Sequence, residues 1–203
     1  MTGMVRKALT IAAGFAVVAS VASAGVPDPG FCSIDAVVVG NVSGTPIGGA
    51  PAGFDVTVRD ITNAPLSGIT VTLDFAASAM KVYTTQNAGT TVNCAAKSIS
   101  RVTNGSGAVN FGARVGRFTN SNVVGVSAGG VTLVAGGVKG RSTDIDGIDG
   151  KTGLGDLALL STNLLTNPSA QQTDFDLNGT TGLGDLALFT TELLTGPTLA
   201  YCP

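Results

Sequence analysis

Seven aspartates near the C-terminal end are spaced to hold a hard cation. Asp174, Asp176, Asn178, Gly179 and Asp185 fall at positions 1, 3, 5, 6 and 12 of a twelve-residue stretch. Calcium takes six to eight oxygens at about 2.3–2.6 Å, and a loop of this length supplies them from positions 1, 3, 5, 7, 9 and 12, with glycine at 6. Position 7 contributes a main-chain carbonyl, here that of Thr180, and a water near Gly182 serves position 9. Gly179 stands where the chain must turn sharply and a Cβ would be costly. The closing residue is Asp185, one methylene shorter than the usual glutamate. Carboxylates about 4–5 Å apart repel by roughly 3–4 kcal/mol per pair at an effective dielectric near 20. A bound cation offsets that cost; the alternative is a solvated Asp/Gly turn.

A second acidic stretch precedes this one. Asp144, Asp146, Asp149, Gly150 and Asp156 follow the same order, with one residue too many between the first and last acids. Aligning on Gly150 and Asp156 makes Gly147 an insertion between the third and fifth ligand positions. A glycine bulges there at least cost, so Asp144, Asp146, Asp149, the Lys151 carbonyl and Asp156 can still converge. The alternative is a vestigial loop that keeps only a packing role. One calcium ion is therefore expected and a second is open.

Helices must follow both loops. Residues 152–168 return almost unchanged as 181–197. Leu157, Leu160 and Leu164 in one copy, and Leu186, Phe189 and Leu193 in the other, recur at helical spacing and make one apolar face each. Stretches of about ten residues are too short to be stable alone in water, so the two faces are expected to bury against each other. Because each loop starts a helix, folding and metal binding are expected to be coupled.

Two EF-hand-like loop–helix units about 29 residues apart, closed by Asp and followed by Leu-Ala-Leu, resemble a dockerin module over residues 144–197. The resemblance implies calcium binding and docking onto a cohesin-like protein partner, often in systems that degrade polysaccharides. Dockerins commonly carry hydroxylated or charged recognition residues just before the final Asp. This chain has Leu154-Gly155 and Leu183-Gly184 there.

Upstream, the period changes to two. Residues 54–59 and 69–75 alternate strictly and place Phe54, Val56, Val58, Ile69, Val71, Leu73 and Phe75 on buried faces. Further strands are expected at 36–39, 81–84, 91–95, 98–103, 108–111, 123–126 and 131–134, with Gly140 in a linker. Asn104-Gly-Ser-Gly107 is a hairpin signal. Short strands with frequent turns predict an all-β antiparallel sandwich followed by a small all-α pair of calcium loop–helix units. Asp60, Asn63, Pro65, Leu66 and Gly68, with the later Thr103-Asn-Gly-x-Gly-x-Val109, resemble bacterial Ig-like domains of the invasin and adhesin type. That likeness implies the sandwich fold and says little of function.

Residues 1–24 combine Arg6 and Lys7, an apolar run and Ala22-Ser23-Ala24, which reads as a secretory signal peptide. The run is too short for a membrane span. The expected division is a signal peptide at 1–24, an Ig-like sandwich at 25–141 and a dockerin-like module at 142–203, in a secreted or cell-surface protein. Residues 25–141 carry five acids and eight bases, whereas 142–203 carry eight acids and one base. The acids thus sit mostly at ligand positions. The scattered bases lack interleaved aromatics, so no nucleic-acid partner is expected.

Three cysteines, Cys32, Cys94 and Cys202, suit an exported chain. Cys32 with Cys94 is the candidate disulfide, leaving Cys202 unpaired or crosslinked to another molecule; pairing itself is not readable from sequence. The chain contains no histidine and a single glutamate, Glu192. That removes imidazole-based triads and metal sites and paired-glutamate glycosidase chemistry, so no enzyme is expected. Tyr83 and Phe118 are the candidates for any sugar-stacking surface. The leading expectation is a secreted, non-catalytic protein whose calcium-binding module docks an Ig-like domain onto a protein partner. The alternatives are a calcium-dependent, self-associating subunit of a surface assembly, and a sugar-binding accessory module.

Overall fold

Alternating apolar residues build the strands. In the computed structural model, which describes residues 25–44 and 53–203, Phe54, Val56, Val58, Val71, Leu73 and Phe75 are all buried, and Ile69 is half-buried. The signal-peptide expectation for residues 1–24 lies outside the described residues.

Among the described residues twelve strands precede two helices. They are β1 (Ser33–Ile34), β2 (Val37–Gly40), β3 (Phe54–Thr57), β4 (Thr70–Asp74), β5 (Lys81–Val82), β6 (Thr91–Asn93), β7 (Ser98–Val102), β8 (Ala108–Phe111), β9 (Val115–Gly116), β10 (Thr119–Ala128), β11 (Val131–Thr132) and β12 (Val138–Ser142). After them come α1 (Leu154–Thr166), a 3-10 turn (Gln171–Thr173) and α2 (Leu183–Thr195). The largest sheet has the order β2-β12-β10-β4-β7-β6, with β11 against β10. A three-stranded sheet, β1-β3-β8, and a ribbon, β5-β9, complete the β part. The main core holds Val38, Phe54, Leu73, Phe75, Ile99, Phe111 and Val126, drawn from both larger sheets. The architecture is a curled, mixed β-sheet followed by two helices with acidic clusters.

Three expectations change. The sheet is not wholly antiparallel, because β12 runs parallel to β2 with Lys139 opposite Val37 and Ser142 opposite Gly40. These strands are joined through most of the β part rather than by a hairpin, so no local turn dictates their direction. Asn104 and Gly107 form a tight turn, with Asn104 Oδ1 accepting from Ser106 N at 3.0 Å and Ala108 N at 3.1 Å. The strands it joins do not pair: β7 bonds to β4 and β8 to β3, so the turn carries the chain between sheets. The linker expected near Gly140 is strand, and Gly140 pairs with Val38 on one side and Thr119 on the other.

The helices bury their apolar faces in a second core of Val39, Ile145, Leu160, Phe175, Leu188 and Phe189. Leu157, Leu186 and Leu193 pack on it half-buried. The expected helix-on-helix burial is therefore shared with the sheet, since Val39 of β2 belongs to this core and Phe118 packs against it. Glu192 adds a polar tie. Only 2 % of it is exposed, and its carboxylate accepts from Ser43 N at 3.1 Å and from Ser43 Oγ. Among the described residues no helix is long and apolar enough to cross a membrane.

Candidate metal centre

The second acidic loop runs from the 3-10 turn into α2. Asp174, Asp176 and Asp185 each offer one carboxylate oxygen, and these lie within 4.8 Å of one another. Oxygens bound to one calcium at about 2.4 Å can be separated by at most about 4.8 Å, so the spacing fits a single ion. Asp185 closes the loop from the first turn of α2. Its Oδ2 accepts from the N-cap Gly182 N at 2.7 Å, and its Oδ1 from Phe175 N and from Asp176 N at 3.1 Å. This is the reach-back half of a capping box, and a carboxylate there also suits the helix dipole. Asp176 accepts from Asn178 N at 3.1 Å. Asn178 Oδ1 in turn accepts from Thr180 N at 2.9 Å and Thr180 Oγ1 at 2.8 Å.

Asp174 is held differently. Its Oδ2 stands 2.9 Å from Arg141 Nη1 and accepts from Gly179 N at 3.1 Å, whereas its Oδ1 is buried with no hydrogen-bond partner among the described residues. A buried carboxylate oxygen without a donor costs free energy unless a ligand satisfies it. An all-oxygen set of hard donors with such an orphan suits calcium rather than a softer metal.

The first loop runs from the end of β12 into α1. Asp144, Asp146, Asp149 and Asp156 each bring one oxygen within 4.8 Å of the others. Asp156 copies Asp185, with Oδ2 accepting from Gly153 N at 2.8 Å and Oδ1 from Asp146 N at 2.9 Å. Asp144 is fully buried and both its oxygens are engaged. Gly147 N donates to Oδ1 at 2.9 Å, and the hydroxyls of Tyr83 and Tyr201 both donate to Oδ2. The two rings stack with centroids 4.7 Å apart. Asp149 is exposed, and the Lys151 ammonium stands 3.7 Å from it.

The loops also show where the extra residue sits. Gly147 has φ of 62° and Leu177 has φ of 61°, so these two positions correspond; Gly150 and Gly179 are also at positive φ. The insertion expected at Gly147 therefore follows it, at Ile148, which is 76 % exposed.

Burial shapes the titration of these carboxyls. It pushes Asp156 up to about 6, aided by the charges of Asp144 and Asp146 and opposed by the Asp146 and Gly153 amides. Burial also raises Asp185 and Asp144, in the latter case against hydrogen bonds from Tyr201 and Tyr83. The two phenols are pushed well above their usual range by burial and then by Asp144.

The cysteine expectation is overturned. Cys94 pairs with Cys202, with Cα atoms 5.0 Å apart, and Cys32 is free. Cys32 lies beside β3, with its Sγ accepting from Arg59 N at 3.4 Å, whereas Cys94 follows β6 at the far edge of the large sheet. The C-terminal tail returns to that region. Thr84 N donates to Ala200 O at 2.9 Å, Cys202 N to Val82 O at 2.7 Å, and Leu199 N to Gly150 O at 2.8 Å. A Cβ at Gly150 would lie 2.0 Å from the Leu199 carbonyl oxygen, so this approach needs glycine.

The reach of Arg141, Tyr83 and Tyr201 to the loops, and of Glu192 from α2 to Ser43, was not expected. Their signal in the sequence is faint: a lone arginine beside the expected linker, two scattered tyrosines and the single glutamate. Tyr83 is fully buried and Phe118 packs on the second core, so neither forms an exposed sugar-stacking face. Comparison of the chain with protein-family models, curated proteins and solved structures finds no match.

Proposed function

We propose that this is a secreted, non-catalytic protein whose C-terminal calcium loops and helices form a dockerin-like docking module for an Ig-like β domain. The observation that carries the reading is the second loop, where three converging carboxylates include a buried, unpartnered Asp174 oxygen. The duplicated helices supply the support for docking. Leu154 and Leu183 are each 76 % exposed, and Leu165 and Leu194 are 82 % and 83 % exposed, so both copies present the same apolar residues outward. Calcium orders each loop and with it the start of the helix that presents these leucines. The partner is a protein of the cohesin type, met outside the cell.

The test uses the full chain immobilised in calcium and in chelator, with an isolated cohesin domain as the probe. Retention in calcium, lost in chelator and in a Leu154→Asp, Leu183→Asp double variant, is the expected result. No retention in calcium sinks the cohesin reading, and retention indifferent to chelator sinks the calcium dependence. Calorimetric titration of the unliganded chain reports ion binding separately from docking.

A further inference from the structure

A guanidinium enters the second acidic loop from the sheet. Arg141 lies in β12, in register with Val39 of β2, and is 6 % exposed. Its Nη1 donates to the Asp174 carbonyl oxygen and stands 2.9 Å from Asp174 Oδ2. A buried charge is costly alone, whichever its sign, so each of these groups depends on the other. The Asp174 carboxylate is consequently divided in use. Oδ2 is occupied by Arg141 and Gly179 N, while Oδ1 remains buried without a partner. Three carboxylates and one guanidinium leave a formal charge of two negatives, which one divalent cation neutralises.

We propose that Arg141 is a positioning residue for this cation site, a resident countercharge that holds Asp174 in its ligand position when no ion is bound and joins the loop to the sheet. The proposal rests on the reading of the loop as a divalent-cation site and adds how the site stays built between binding events. Without the guanidinium, the ion-free loop would hold three converging carboxylates with only neutral donors to offset their repulsion, and Asp174 would have one donor instead of two. With it, binding completes a loop already shaped, and β12 feels the occupancy of the site through Arg141. Among the described residues no such charge meets the buried aspartate of the first loop, where two phenols hold Asp144 instead.

Hydrogen exchange over residues 174–182 of the full chain, in chelator and in calcium, tests the proposal with Arg141→Met and Arg141→Lys. In chelator the Met variant is expected to exchange at least about tenfold faster there than the native chain. Calcium should restore protection, and Lys should fall between Met and Arg because it keeps the charge without the forked donor geometry. Equal protection of the Met variant and the native chain in chelator overturns the proposal. So does a Met variant that calcium cannot restore, including one that never folds, because Arg141 is then a general core residue. A Lys variant no better than Met overturns the countercharge role. Calorimetric calcium titration of the native chain distinguishes the two ideas: no binding defeats the cation reading, whereas the exchange difference in chelator stands or falls by itself.

Discussion

The two acidic loops share a frame but are held by different means. In both, the closing aspartate caps its helix and accepts the backbone N–H of the third-position aspartate. In both, the first aspartate is buried. The first loop satisfies that residue completely, through Gly147 N, Tyr83 and Tyr201. The second gives it Arg141 and Gly179 N and leaves one oxygen over. The same repeat unit thus yields one aspartate whose two oxygens both accept hydrogen bonds and one with an oxygen that accepts none. The two loops match in ligand spacing and differ in what the rest of the protein does with the first aspartate.

Opening the Cys94–Cys202 bridge should have the largest effect and should fall unequally on the loops. The cysteines are 108 residues apart, and in the chain-entropy model a closure of that length is worth about 4–5 kcal/mol. The tail it anchors carries Tyr201 to Asp144 and Leu199 to Gly150, with no comparable hydrogen bond to the second loop among the described residues. Cys202→Ala, followed by thermal unfolding and calcium calorimetry, should lower stability and weaken the first loop's binding while sparing the second's. Equal weakening of both would erase the distinction.

Asp185→Ala should remove the tighter of the calorimetric binding events, and Asp156→Ala the weaker. Asp185→Ala also leaves three backbone N–H groups without their acceptor, a loss of about 3 kcal/mol in chelator. Reversal of the order would mean that the orphaned Asp174 oxygen does not mark the stronger site.

Acidity provides a third test. Asp156 is pushed up to about 6 from 3.8, so between these values the folded chain holds more protons than the unfolded one. In chelator the stability from this group is complete below about pH 4 and is lost as pH rises through about 6. Melting temperature in chelator should therefore fall across that window. In calcium the trend should reverse, because protons compete with the ion for the same carboxylate. A flat chelator profile from pH 4 to 7 would contradict the burial of Asp156.

The smallest expected effect is that of Tyr201→Phe. It keeps the stack with Tyr83 but removes one donor to Asp144, which costs about 1–2 kcal/mol. The chain has two tyrosines and no tryptophan, so changes in tyrosine fluorescence during a calcium titration report the first loop. A tyrosine signal that tracks the second loop's binding instead would show that the loops are not independent.

Much of this molecule is legible from neighbours along the chain. The carboxylate spacing, Gly150 and Gly179 at the turns, the helices at both closing aspartates and the inward residues of β3 and β4 follow from local turn chemistry and from periods of two or 3.6 residues. Whatever joins distant segments was not legible in that way. Cys94 meets Cys202 rather than Cys32, β2 lies parallel to β12, and the turn at Asn104 bridges two sheets instead of closing a hairpin. Arg141 and the tyrosines reach their aspartates across separations of 33, 57 and 61 residues. Sequence by itself determined where oxygens gather, because adjacent residues constrain one another sterically. Which of those oxygens the protein keeps for itself was decided only by tertiary structure, since burial and partners depend on how remote strands and the tail pack.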